Sequence, residues 1–335
     1  MANNINSPTL ATGENDKLRI TLIGAGTIGL SLAAVHLTHL SSPSHLTIHD
    51  PRPNLSSYIA TNLPPLLPAT HIHLIPLLHT INLSESPSTL PLAVSSATII
   101  QESGPENLEF KAALWENIER HGKKDALFWS STSGIPASAQ YVRMQDKSRL
   151  VVVHPFNPPH ILPLLEIIPS PHTSADVISR TMDFWRARNK EPVLLRKEIT
   201  GFVAGRLAWA LLREAIYLVN EGVVDVEELD KIIESSMGPR WAYAGPFKSF
   251  YMGGGQGGLE ALFENVGGTL KACWEDEAPS GIRVGGSWMD VVCGQTRKAY
   301  AGKVDIRERD RTNRKILEVV REEKQGRGMK DVVDV

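Results

Sequence analysis

Leu18-Arg19-Ile20-Thr21-Leu22-Ile23-Gly24-Ala25-Gly26-Thr27-Ile28-Gly29 carries an apolar stretch straight into G-x-G-x-x-G, the pattern that opens a dinucleotide-binding β–α unit. Gly24 allows the tight turn, Gly26 lets backbone approach a pyrophosphate, and Gly29 lets the following helix pack close to the strand. Thr27 and Ile28 begin that helix, whose unpaired N–H groups and partial positive charge suit phosphate. The next apolar strand, His45 to His49, ends at Asp50, 21 residues after Gly29. A carboxylate there accepts from a ribose 2′-hydroxyl and repels a 2′-phosphate. Strand, glycines, helix and acid together predict NAD as the cofactor. Arg52 could in principle favour a 2′-phosphate, but beside Asp50 it is read as a surface residue.

Outward from this motif, 335 residues with 42% apolar content allow one large or two medium domains. A net charge of −2 without a long basic run argues against nucleic acid as partner. No stretch reaches the roughly 20 apolar residues of a membrane span. Residues 1–16 are polar, without a secretion signal's basic start and apolar run, and read as a disordered tail. The expectation is a soluble cytoplasmic protein. Cys273 and Cys293 lack metal spacing and are expected to be reduced and buried.

To about Lys197 the chain alternates short strands and helices. That predicts an α/β fold, a doubly wound, mostly parallel Rossmann-like sheet covered on both faces. Expected helices are Thr27–Leu40, Asn54–Asn62, one from an N-cap at Ser103 to about His121, and Ala175–Arg188. Expected strands are Ala97–Gln101, Ala126–Ser130, Leu150–Val153 and Pro192–Leu195, with another near Ile72–Leu78 or His79–Leu83. After Thr200 the spacing turns helical. Gly201–Asn220 carries an apolar stripe, Val226–Ser236 follows an Asp225 cap with Glu228 three residues on, and a charged helix covers Asp305–Lys324. This divides the chain into an NAD-binding domain at 17–198 and a helical substrate and dimerisation domain at 199–329.

Three downstream positions carry candidate chemistry. Ser133 follows a strand in Ser131-Thr132-Ser133-Gly134. His154 directly follows Leu150–Val153, and Glu166 lies 12 residues later. Loops at the carboxyl ends of strands line the ligand crevice of open α/β sheets. A histidine backed by a carboxylate is a general base with a controlled tautomer. Spacing alone leaves a structural role for His154 open.

The chain resembles the L-3-hydroxyacyl-CoA dehydrogenase superfamily, in the branch that contains lambda-crystallin, L-gulonate 3-dehydrogenase and L-carnitine dehydrogenase. The likeness is carried by Gly24–Gly29, Gln101-Glu102-Ser103-Gly104-Pro105-Glu106-Asn107-Leu108, Ser131-Thr132-Ser133, His154-Pro155-Phe156-Asn157-Pro158-Pro159, Gly201–Leu207 and Gly238-Pro239-Arg240-Trp241-Ala242. It implies hydride transfer between a nicotinamide and the hydroxyl-bearing carbon of a 3-hydroxy acid or derivative. His154 would be the base, Glu166 its partner, Ser133 a contact to the substrate oxygen, and Glu102 a neighbour of the nicotinamide ribose. It also implies a homodimer through the helical domain. Gly205 stands where the family usually has asparagine, which points to an altered substrate pocket. A redox-silent structural protein of the lambda-crystallin kind, or a lyase or isomerase on the same fold, are the alternatives.

Arg240 is a candidate anchor for a substrate carboxylate, with a surface ion pair as the other reading. Trp209, Trp241, Tyr243, Phe247, Phe250 and Tyr251 could face a quaternary ammonium, or serve as core or interface. Gly253–Gly258 reads as a structural turn. His71, His73 and His79 have no carboxylate or thiolate partner in the pattern, so no metal is expected. Arg52–Ser96 contains no lysine, which favours a small free acid over a CoA thioester.

Overall fold

A computed structural model describes residues 17–277, 282–303 and 305–330; the expected tail at 1–16 lies outside them. The chain separates into two compact units, Met1–Arg206 and Leu207–Val335.

The first unit runs β1 (Ile20–Ile23), α1 (Thr27–Leu37), β2 (Leu46–His49), α2 (Leu55–Asn62), β3 (Asn82–Ser84), α3 (Leu90–Ser95), β4 (Ile99–Glu102), α4 (Leu108–His121), β5 (Leu127–Ser130), α5 (Ala137–Gln140), β6 (Leu150–Pro155), β7 (Leu164–Pro169), α6 (Ala175–Arg186) and β8 (Glu191–Leu194). The sheet order is β3-β2-β1-β4-β5-β6-β7-β8. Every pair is parallel except β6–β7. The doubly wound, mostly parallel sheet is therefore present, with a reversal at β7 that the sequence reading did not include. Successive strand residues feed opposite faces, as the pleat requires. Trp129, Val151 and Val153 pack with Leu32 and Trp185 on one side; Phe128, Leu150 and Val152 pack with Trp115 and Ile118 on the other.

Several local expectations are corrected. Of the two places expected for a strand, Ile72–Leu78 lies in the 3-10 turns of Ala69–Thr80, where Pro76 removes a ladder donor, while β3 overlaps the end of His79–Leu83. The cap of α4 is Asn107, whose side chain accepts from Phe110 N–H, rather than Ser103. The Ser103 N–H instead bonds Ile23 O at 2.8 Å, continuing the β1–β4 pairing. β6 continues to Pro155, so His154 lies within the strand rather than beyond it.

The second unit is built of helices. Helix α7 (Val203–Asn220) contains the boundary between the units and is followed by α8 (Val226–Ser235), α9 (Met237–Tyr243), α10 (Pro246–Gly253), α11 (Gly258–Glu277), α12 (Trp288–Tyr300) and α13 (Ile306–Lys330). The Asp225–Glu228 capping box at α8 forms in both directions. Cys273 is exposed and Cys293 half-buried, against the expectation of burial: both sit on helices of the second unit whose side chains are mostly exposed or half-buried.

One buried group makes acid stability measurable. His36 on α1 is fully buried, with Nε2 2.8 Å from Gln101 Oε1. Burial, reinforced by nearby Arg188, lowers its pKa from 6.5 to about 3. The unfolded chain takes up a proton below about 6.5 that the fold refuses, so stability falls as pH drops from there toward 3. Between pH 7 and 5 the wild type should lose about 2 kcal/mol through this group. Urea unfolding of a His36→Gln variant should show a pH dependence shallower by that amount. An unchanged slope would mean that the imidazole is charged inside the fold.

Candidate active site

The sheet order places the chain reversal between β1 and β4, where neighbouring loops leave in opposite directions and a crevice opens at the strands' carboxyl ends. Ile23 pairs with His49 on one side and Glu102 on the other. The loops that follow these three residues therefore share one edge. Gly24 turns there with φ +95°, and a Cβ on it would lie 2.6 Å from Ser103 O. A Cβ on Gly29 would lie 1.9 Å from Gly24 O, so α1 packs directly on the turn. Gly26 differs: a Cβ there would meet nothing within 4 Å.

That open space lies at the N-terminus of α1, where Gly26 is the cap, no side chain takes up the first-turn N–H groups, and the first turn holds no acid. Free donors, a positive helix end and room for a ligand fit the pyrophosphate of NAD. Thr27 and Ile28 form the first turn with them. Asp50 closes the cradle from β2. Its Oδ2 accepts from Ala25 N at 2.7 Å, tying the carboxylate to the glycine loop.

Arg52 is not a bystander on the surface. Its Nε and an Nη donate to the two oxygens of Asp50 at 2.9 and 3.0 Å, and its backbone N–H donates at 3.0 Å. Burial opposes ionisation of Asp50, but Arg52 and the Ala25 N–H outweigh it and hold the carboxyl below its usual range.

The contact between His154 and Glu166 is set by strand register. His154 and Glu166 are directly opposed across the antiparallel β6–β7 ladder, where facing side chains are close enough to interact. His154 Nδ1 lies 2.9 Å from Glu166 Oε2, and both residues are buried. The other carboxylate oxygen accepts from Val203 N at 2.9 Å and Ala204 N at 3.1 Å, the first two amides of α7. Gly201 and Phe202, both at positive φ, make the turn that aims these amides, and the Phe202 ring packs 5.2 Å from the imidazole. Burial works against the Glu166 charge, yet His154 and the two amides lower its pKa. An ionised carboxylate only accepts hydrogen bonds. The proton between the pair therefore sits on Nδ1, and in the neutral ring the lone pair is on Nε2.

Ser133 is exposed three residues beyond the end of β5, on the same edge as His154. Its backbone N–H and hydroxyl both bond Glu106 Oε1, at 2.6 and 3.0 Å, and Thr132 Oγ1 bonds Glu106 Oε2 at 2.6 Å. Burial raises the Glu106 pKa, but Thr132, Ser133 and Lys111 lower it further, leaving it below its ordinary value. Glu106 thus fixes the serine loop. Glu102 turns inward. Its carboxylate is fully buried against Lys111 Nζ at 2.7 and 2.9 Å, Gly104 N at 2.7 Å and Ser130 Oγ at 2.8 Å. The carboxylate that reaches the loop surface is Glu106, not Glu102. Gly205 is buried in the first turn of α7. Arg240 belongs to the second unit and stands exposed on α9.

Comparison with known proteins agrees with this architecture. Residues 19–199 match the family model of the 3-hydroxyacyl-CoA dehydrogenase NAD binding domain, and 201–278 that of its C-terminal domain. A 3-hydroxyacyl-CoA dehydrogenase of Gibberella moniliformis is 39% identical over 188 residues, covering 55% of this chain and 58% of the relative. An L-carnitine dehydrogenase of Oceanobacillus iheyensis is 42% identical over 188 residues, covering 56% and 61%. The chain thus aligns with about three-fifths of the length of these two relatives. Among solved structures, that of 5-formyl-3-hydroxy-2-methylpyridine 4-carboxylic acid 5-dehydrogenase, an NAD+-dependent dismutase, aligns with TM-score 0.69 at 27% identity, over 90% of this chain and 98% of that one. The chain therefore belongs to the 3-hydroxyacyl-CoA dehydrogenase family and carries that family's NAD-binding domain followed by its C-terminal domain.

Proposed function

We propose that the chain interconverts a 3-hydroxy acid, or a small derivative of one, and the corresponding 3-oxo compound with NAD as redox partner. The observation that carries this reading is the His154–Glu166 pair, whose free Nε2 lies at the same sheet edge as the glycine cradle. Gly24, Gly26, Thr27, Ile28, Gly29 and Asp50 would hold the cofactor, which when bound accepts or returns the hydride. In oxidation, Nε2 of His154 takes the hydroxyl proton, and the Glu166 carboxylate stabilises the imidazolium that results. In reduction the proton goes back to the carbonyl oxygen. Ser133 would hydrogen-bond that oxygen, held in place by Glu106.

A free acid is favoured over a CoA thioester. Arg52–Ser96 has no lysine, and Arg52 is engaged with Asp50, so a CoA phosphate finds few partners there. Arg240 is our candidate for the substrate carboxylate. The curated relatives named L-carnitine dehydrogenase make a quaternary-ammonium 3-hydroxy acid the first compound to test, and Trp241, Phe247 and Tyr251, exposed in the second unit, are aromatic faces suited to such a cation, whereas the Tyr243 ring already carries Lys248 Nζ at 4.7 Å. The lambda-crystallin-like, redox-silent alternative rests on Gly205, which lacks the amide that the family usually places there.

We assign residues 199–329 as the substrate and dimerisation domain. Exposed Leu207, Trp209, Leu212 and Phe247 support a homodimer through it. Free cysteines are in keeping with a reducing, cytoplasmic setting. Among the described residues, no helix is long and apolar enough to cross a membrane.

The test is NADH absorbance against a panel of 3-oxo acids and their thioesters. Consumption should be fastest with small free acids. NADH binding without turnover across the panel would favour the redox-silent reading, and product formation at constant NADH a lyase or isomerase.

A further inference from the structure

The Asp50 carboxylate, the expected reader of the adenine ribose, is already saturated. An ionised carboxylate offers about four acceptor positions. Oδ2 accepts from Ala25 N and an Arg52 Nη, and Oδ1 from Arg52 N and Nε, all within 3.0 Å. A ribose diol can donate to this carboxylate only by displacing the Arg52 side chain. The two backbone donors stay behind and keep Asp50 oriented. The guanidinium also stacks on Tyr58, its Cζ 4.0 Å from the ring centroid, and with the side chain about 30% exposed it can turn away from Asp50 while keeping that aromatic face.

Resting on the NAD reading above, we propose that Arg52 is a cofactor-selectivity residue, through which the chain accepts NADP as well as NAD. Two physical effects act together. While the fork is closed, its positive charge cancels the carboxylate that would repel a 2′-phosphate. When it opens, the cation stays within a side chain's reach of the 2′ position and can grip a phosphate through two N–H groups, the geometry for which guanidinium is suited. NAD gains the diol contacts to Asp50 but must break the ion pair to make them. NADP exchanges one anionic partner of Arg52 for another. The acid at the end of β2 therefore discriminates less than its position alone implies.

Direct titration separates this from the catalytic reading, because it needs no substrate. Intrinsic tryptophan quenching by NADH and by NADPH should give dissociation constants within about tenfold of one another for the wild type. Arg52→Ala should bind NADH at least as well as the wild type and lose about ten- to a hundredfold for NADPH. Arg52→Lys, which keeps the charge without the fork, should fall between. Asp50→Asn should move the preference further toward NADPH. Circular dichroism spectra of the Arg52 variants that match wild type show that the fold is kept and that the change in affinity is local to the pair with Asp50. An NADPH-to-NADH ratio that Arg52→Ala leaves unchanged overturns the proposal with the NAD site intact. Failure to bind either dinucleotide overturns the NAD reading together with it.

Discussion

A His154→Ala variant should lose about 10²–10⁴-fold in kcat while binding NADH with wild-type affinity. The imidazole stands at the end of β6, away from the glycine cradle that follows β1, so its loss leaves the dinucleotide contacts in place. What disappears is the one nitrogen with an available lone pair, Nε2, since Nδ1 is committed to Glu166. Glu166→Gln tests the same assignment from behind. The native carboxylate accepts from Nδ1–H with one oxygen and from Val203 and Ala204 N–H with the other. An amide has one accepting end. If its oxygen serves the α7 amides, its NH2 faces Nδ1 and forces the opposite tautomer, which blocks Nε2. If its oxygen serves Nδ1, its NH2 meets two backbone donors. Either way the base is compromised, and kcat should fall by about 10²-fold with a smaller change in KM. Stopped-flow measurement of NADH oxidation with the best 3-oxo acid reads both variants. Wild-type turnover in His154→Ala would remove the histidine from the chemistry.

How much of this was legible beforehand differs between parts of the site for physical reasons. The β1 glycine turn and Asp50 could be read because one short segment determines them: Gly24 needs positive φ, Gly29 needs the absence of a Cβ, and both are local. The His154–Glu166 pair was implied by resemblance, but its cause was hidden. Leu164–Pro169 is an unbroken apolar run around one glutamate, without the alternation that marks a half-buried strand, and the reversal at β7 is a tertiary fact. Once β7 pairs antiparallel with β6, the 12-residue spacing becomes a register. Asn107 and Ser103 are both residue types that cap helices, so local sequence offers two starts for α4. The tertiary pairing of Ser103 with Ile23 decides between them. The inward turn of Glu102 was illegible because its partner Lys111 lies on α4, and lysine is almost never fully buried unless paired.

That buried pair supports the second large effect. Lys111→Met should destabilise the first unit by about 3–5 kcal/mol, more than any surface ion pair could. Lys111 and Glu102 have side-chain exposures of 1% and 0%, so water cannot solvate the carboxylate that the variant leaves behind. Among the described residues Gly104 N and Ser130 Oγ would remain as its donors, and they do not supply a balancing charge. The lysine also stands 3.9 Å from Glu106, the residue that holds Thr132 and Ser133. Its removal should therefore loosen the serine loop as well as the core. Two measurements separate these consequences. Urea unfolding gives the stability loss, which a Lys111→Met/Glu102→Gln double variant should largely recover, because a neutral amide no longer requires a buried cation. Turnover of the double variant, measured where it is fully folded, should stay below wild type through a raised KM, since Glu106 still lacks its cation and Ser133 its fixed anchor. Full recovery of both would reduce Lys111 to a counter-ion for Glu102, whereas no recovery of stability would mean that the methionine itself does not fit against Trp115 and its neighbours on the α4 face of the sheet.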